Sequence, residues 1–194
     1  MKKTITLISL ILCLSICLTA CSHSGAATIN LMEGITPQDI DDKKPDYVFT
    51  LSQYEVSVKT AKELFKDNKN VMFSPLSLSI AGGLVMNGAE GETKAKLESF
   101  FCPFYSAEKN NLYMKHFLLS LGGQVRNASS IWYKNDERLA VNKDFLQKNA
   151  DYFGADAFKV AFDDNGKAAI NDWVKNKTNG SIDSILDEID KNSM

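Results

Sequence analysis

The sequence predicts an α+β fold in which helices outnumber strands and the strands lie far apart along the chain. Apolar residues recur every three or four positions through most of residues 47–190, which is the spacing of amphipathic helices. Short apolar stretches typical of strands occur at three separate places, residues 71–73, 125–133 and 158–162. No internal repeat interrupts this pattern, and the length suits one domain.

The N-terminus predicts an export signal. Lys2 and Lys3 precede an apolar stretch over residues 4–18, which is shorter than the roughly 20 residues of a membrane span. Residues 18–21 read Leu-Thr-Ala-Cys, which resembles the bacterial lipobox. We therefore interpret residues 1–20 as a lipoprotein signal peptide that is cleaved before a lipidated Cys21. An ordinary secretory signal and an N-terminal anchor remain alternatives.

Cleavage of this leader determines which of the four cysteines remain in the mature chain. Cys13 and Cys17 are removed with it and Cys21 takes the lipid, which leaves Cys102 without a disulfide partner in the mature chain. Cys102 follows two phenylalanines and is interpreted as a small buried apolar side chain rather than a nucleophile. The stability of the domain is expected to come from core burial alone.

The domain is predicted to begin after a flexible tether. Residues 21–46 are small, polar and weakly patterned, and Pro37 and Pro45 interrupt them. A domain over residues 47–194 follows. Its first helix is predicted from apolar residues that share one face, namely Tyr54, Val58, Ala61, Leu64 and Phe65.

A second helix, starting at Ser74-Pro75, is the most unusual element of the sequence. Serine caps free backbone amides, and proline suits the first helical turn because its missing N–H costs nothing there. Residues 76–86 are apolar nearly all round, so we expect this helix to be buried on all sides. Gly82 and Gly83 each cost about 1 kcal/mol relative to alanine in a helix. The pair therefore predicts that another backbone, most simply a sheet, passes close to the helix.

The remaining elements follow from the same signals. Helices are predicted from Gly91 onward, around residues 112–121, after the cap Asn142 and around residues 170–177. Gly154 is expected to end the third of these. Helical spacing continues through Ile182, Ile185, Leu186 and Ile189.

The charge and the reactive residues exclude several classes of function. The chain has 22 basic and 24 acidic side chains, so it offers no basic surface for nucleic acid. It has two histidines, no G-x-S-x-G turn, no phosphate loop and no zinc-spaced set of cysteines and histidines. His116 is interpreted as a packing residue. We expect no enzyme activity, no metal and no other cofactor.

Five stretches, in the same order, resemble motifs of the serpin family. Residues 70–79 resemble the segment joining a short strand of sheet B to helix B, and residues 87–93 resemble the turn into helix C. Residues 128–133 resemble the second strand of sheet A, and residues 152–162 resemble the stretch around its first strand. Residues 170–182 resemble helix F. The resemblance implies the N-terminal half of a serpin fold, with helices A to F, the first strands of sheet A and a short sheet B strand.

The resemblance also assigns roles to the second helix. In serpins, helix B lies beneath sheet A at the shutter, the place where the sheet parts to admit another strand. By this likeness Ser74 and Ser77 lie at the shutter, and Gly82 and Gly83 allow overlying strands to approach. Simple helix capping by the serines is compatible with this role.

Serpins inhibit serine or cysteine proteases as single-use traps. The target protease cuts an exposed reactive loop, which then inserts into sheet A as a new strand and carries the protease with it. The family's next strand of sheet A and its reactive loop are not found in residues 1–194, so we expect this half-domain alone to be inactive. The expected partners are a target protease and, through the Cys21 lipid, the outer face of a bacterial membrane. A lipid-anchored, non-inhibitory binding or structural module derived from a serpin is the alternative.

Overall fold

Six α-helices and three short β-strands form the part of the chain that a computed structural model describes, residues 28–66 and 69–190, and they confirm the α+β prediction. The strands are β1 (Ile29–Asn30), β2 (Ser130–Lys134) and β3 (Asp156–Val160). A 3₁₀ turn covers Gly122–Gln124. The helices are α1 (Tyr47–Leu64), α2 (Pro75–Met86), α3 (Gly91–Phe101), α4 (Ala107–Ser120), α5 (Lys143–Phe153) and α6 (Asp164–Lys177).

The three strands form one mixed sheet in the order β1-β3-β2. β2 and β3 are parallel, with Ser130 opposite Asp156 and Lys134 opposite Val160. Parallel neighbours need a crossover connection, which α5 supplies. β1 pairs antiparallel with the other side of β3. Among the described residues, the edge of β2 that faces away from β3 therefore has no strand partner.

Local signals set the helix boundaries as the sequence predicts. The Asn142 side chain accepts a hydrogen bond from the Asp144 N–H at 2.8 Å and caps α5. Gly154 ends that helix in the left-handed conformation, with φ of 60°, which glycine adopts without a side-chain clash. Ser74 caps α2 with proline in the first turn. Capping residues and glycine act within one turn of chain, so sequence alone reveals them.

Helix α2 lies between the two clusters of the hydrophobic core. Its Ile80 and Leu84 belong to a first cluster and its Met86 to a second. The other buried members of the first cluster are Phe49, Tyr113, Met114, Phe153 and Ala155, and those of the second are Val56, Phe101, Cys102 and Ala107. Burial of an aliphatic or aromatic side chain stabilises by about 1.5–3 kcal/mol, which makes these clusters the main source of stability.

The structure differs from the predicted tether over residues 28–46, which we call the arm. The arm is hydrogen-bonded to the domain along its length. The Leu31 N–H donates to the Ala157 carbonyl at 2.9 Å, and the Gln147 side chain donates to the Thr36 carbonyl at 2.9 Å. Most of these partners lie more than 70 residues away in the sequence. The residues of the arm therefore show no local pattern that would predict these contacts. The rest of the predicted tether, residues 21–27, and the predicted signal peptide lie outside the described residues.

Two predicted elements are absent from the described residues. Residues 71–73 form no strand, and Met72 is 98% exposed because no neighbouring strand covers it there. Residues 182–189 form bends rather than a helix. The Asn171 side-chain oxygen accepts from the N–H groups of Ile185 and Leu186, at 2.9 and 3.0 Å, which holds this segment against α6. A strand also begins later than expected, since β2 covers only the end of residues 125–133.

Candidate functional site at the open edge of the sheet

One face of α2 is exposed, which corrects the prediction that the helix is buried on all sides. Ser77, Ala81 and Val85 are exposed and lie four residues apart, so they share one face. Val85 has 55% of its surface exposed. The opposite face carries the buried Gly83 and Met86. The sequence does not distinguish the exposed from the buried positions of α2, because the exposed residues are as apolar or small as the buried ones.

Ser74 and Ser77 lie together at the start of this exposed face. The Ser74 hydroxyl accepts from the Ser77 N–H at 3.2 Å, and the Ser77 hydroxyl donates to the Ser74 hydroxyl at 3.0 Å. Both serines are exposed. Their contacts with each other are those of a helix cap, and both hydroxyls keep further hydrogen-bonding capacity on the open side.

Gly82 and Gly83 are buried, and aromatic rings rather than a strand occupy the space above them. A Cβ atom on Gly82 would lie 2.5 Å from ring carbons of Phe101, and one on Gly83 would lie 2.5 Å from the tip of the Phe153 ring. Phe101 ends α3 and Phe153 ends α5, so two neighbouring helices each insert a ring against α2. The predicted overlying backbone is not what these glycines contact.

A cleft of about 1090 Å³ lies between the exposed face of α2 and the unpaired edge of β2. Ala81 and Val85 line it from α2, residues 130–133 line it from β2, and Phe145 lines it from α5. Within the described part of the chain, β3 contributes no lining residue. The cleft therefore combines an apolar floor with a strand edge that has no strand partner among the described residues, the two features that a further strand of the sheet would use.

Aromatic packing fixes the position of β2 at this cleft. The Trp132 ring stacks on Phe158 of β3 with centroids 4.6 Å apart, and it meets Trp173 of α6 edge-on at 6.3 Å. The Trp173 indole donates to Asp156 at 2.9 Å. Lys177 bonds to the same carboxylate at 2.8 Å. Helix α6 is thereby joined to both strands, so β2 keeps its place although its other edge is open.

A chain of three asparagines holds the end of α2, and sequence reasoning missed it. The Asn111 amide donates to Asn87 at 2.7 Å, and the Asn87 amide donates to Asn149 at 2.8 Å. Asn111 and Asn149 are buried, and they come from α4 and α5. A buried amide is costly unless it is paired, so the chain fixes the three helices in one arrangement. The sequence signal that could have predicted this chain is Asn149, a polar residue within the apolar face of α5.

The structure shows no reactive group at the cleft. Cys102 is 1% exposed, and burial raises the pKa of its thiol to about 12, which leaves it protonated and unreactive at neutral pH. His116 lies 3.1 Å from the Asp42 carboxylate in the arm rather than in an apolar environment. No group of three histidine, cysteine or acidic side chains could hold a metal in residues 28–66 and 69–190. Over the same ranges, none of the helices has the length and apolarity that a membrane crossing requires. Cys21 lies outside the described residues.

Comparisons with known proteins agree with the motif order. The family description "Serpin (serine protease inhibitor)" matches residues 51–194. The chain is 37% identical to Iripin-5 from Ixodes ricinus over 132 residues, which is 61% of this chain and 33% of that protein. It is 29% identical to neuroserpin from Mus musculus, with 71% of this chain and 35% of that protein covered.

Solved structures agree as well. The native state of the thermophilic serpin tengpin superposes with a TM-score of 0.77 at 38% identity, covering 84% of this chain and 43% of tengpin. The chain thus spans less than half the length of the relatives it matches. Because the family description covers well over half of its residues, the chain belongs to the serpin family.

Proposed function

We propose that the protein is a peptidase inhibitor that traps serine or cysteine proteases as a suicide substrate. The observation that carries this proposal is the serpin family match over residues 51–194. Trapping requires a sheet that accepts a new strand, and β2, which lies beside the small and apolar exposed face of α2, supplies one strand of such a sheet.

The energetics of strand pairing favour extension of this sheet by a further strand. β2 has five residues, and about half of its backbone N–H and C=O groups point away from β3. Each hydrogen bond formed there contributes about 0.5–1.5 kcal/mol net. Pairing of the whole edge therefore stabilises by several kcal/mol, and apolar burial over Ala81 and Val85 adds to it. A gain of this size is comparable with the total stability of a small domain.

We further propose that the inhibitor is exported and anchored by a lipid on Cys21 at the outer face of a bacterial membrane. The lipobox-like residues 18–21 support this location. The residues after Cys21 contain no apolar segment of membrane-spanning length. Replacing Cys21 with alanine is expected to leave the leader uncleaved or to release the protein from membranes. An unmodified N-terminus beyond Cys21, found by mass spectrometry of the wild type, would rule out the lipid.

The experiment is incubation of a complete serpin domain carrying residues 28–194 with trypsin-like, subtilisin-like and papain-like proteases. Denaturing gel electrophoresis then detects a covalent complex. A complex with one of the proteases supports the proposal. A folded domain that is cleaved without forming a complex would favour the non-inhibitory module instead. Residues 1–194 alone are expected to give no complex, because the matched part covers 43% of tengpin and the serpin motifs found here do not include those of the reactive loop.

A further inference from the structure

The arm is attached to the body at several points. Besides the bonds of Leu31 and Thr36, the Gln38 N–H donates to the Asp151 carboxylate at 2.7 Å. The Lys115 ammonium donates to the Ile40 carbonyl at 2.9 Å. These partners lie on β3, α4 and α5. The first residue of the arm that pairs with the sheet is Ile29, opposite Lys159.

This attachment changes the reach of an anchor at Cys21. Eight Cα–Cα steps join Cys21 to Ile29, and these extend at most about 29 Å. A free tether up to Tyr47 would have 26 steps, with a maximum of about 90 Å. The docked arm therefore shortens the greatest possible reach about threefold.

We propose that the arm belongs to the folded body, so that a leash of seven residues, 22–28, holds the body beside the lipid bilayer. This inference rests on the proposed lipidation of Cys21. The leash joins the body next to a defined end of the sheet. β1 is antiparallel to β3, so the residue before Ile29 lies toward Val160, whose carbonyl accepts from the Asn135 N–H at 2.8 Å. The leash thus joins the sheet at the Val160 end of β3, within about 29 Å of Cys21.

The test measures the distance of the body from a bilayer. A dye is placed on Glu137→Cys, an exposed position two residues from Asn135, in a Cys102→Ala background. The lipidated protein is reconstituted in phosphatidylcholine vesicles that contain an acceptor-labelled lipid. The comparison variant has 20 Gly/Ser residues inserted between Ser24 and Gly25. With a docked arm the 20-residue insert lengthens the greatest possible reach about 3.5-fold, whereas with a free tether it lengthens it about 1.8-fold.

Hydrogen exchange of the Leu31 amide and mass spectrometry of the N-terminus complete the test. A protected Leu31 amide, with energy transfer that is high in the wild type and falls with the insert, supports the leash. Two results for a lipidated protein would overturn the leash proposal while leaving the anchor proposal intact. One is a Leu31 amide that exchanges like that of an unstructured peptide, and the other is energy transfer that does not change with the insert. An unmodified Cys21 overturns both.

Discussion

Replacing Gly83 with alanine tests whether helix α2 is packed as closely as the structure indicates. The new Cβ would lie 2.5 Å from the tip of the Phe153 ring, so the ring must withdraw by about 1 Å to reach ordinary contact. Phe153 is 5% exposed within the core, and such overpacking costs about 1–3 kcal/mol. The higher helix propensity of alanine offsets about 1 kcal/mol. We expect a net loss of up to about 2 kcal/mol in the free energy of unfolding.

The assay is urea unfolding of the purified protein, followed by tryptophan fluorescence. Ala81→Gly is the matched control, because Ala81 is exposed on the same helix and measures the propensity difference without a packing change. Phe153→Leu combined with Gly83→Ala should be less destabilised than the sum of the single changes, by about 0.5–3 kcal/mol. If Gly83→Ala instead stabilises the protein by about 1 kcal/mol, the ring does not restrict this position and the packing argument is wrong.

Three further predictions concern the thiol, the asparagine chain and the ion pair that joins α3 and α4. Cys102 should resist maleimide in the native protein and react after unfolding in urea, because burial raises its pKa to about 12; native labelling at the rate of a free thiol would contradict its burial. Asn149→Ala should cost about 1–3 kcal/mol in thermal unfolding, because it leaves the Asn87 amide without its partner; an unchanged melting temperature would show that water replaces the bond. The hydrogen bond from Lys94 lowers the pKa of Glu108 from 4.5 to about 2, so its stabilisation is present above pH 4.5 and lost as the pH falls toward 2. The pair is exposed and contributes at most about 1 kcal/mol, and Glu108→Gln should remove that part of the acid dependence in unfolding measured from pH 7 to 2.

Sequence reasoning succeeded where the cause of a structure lies within a few residues. Ser74-Pro75, Asn142 and Gly154 predicted the ends of two helices because capping acts within one turn. The order of the five family-like stretches predicted the fold, which the family match over residues 51–194 confirms. The buried Cys102 was also predicted correctly, from its apolar neighbours.

It failed where the cause lies far along the chain. The arm reads as a polar tether, yet the Gln147 side chain binds a backbone carbonyl 111 residues away. The glycine pair predicted a close neighbour, but spacing cannot distinguish a strand from the rings of Phe101 and Phe153. Residues 71–73 have strand character and no strand partner among the described residues, since pairing depends on a second segment. The asparagine chain likewise depends on three helices that meet only in the folded protein.

The central claim, that these residues form the N-terminal half of a protease trap, is tested most directly with a chimera. Residues 28–194, which include the docked arm, replace the matching part of an inhibitory serpin, which supplies the reactive loop and the remaining strands. Near-ultraviolet circular dichroism first establishes that the chimera is folded. On incubation with the protease that the parent serpin inhibits, we expect a covalent complex that survives denaturing electrophoresis. A folded chimera that the protease cleaves without forming that complex would contradict the claim.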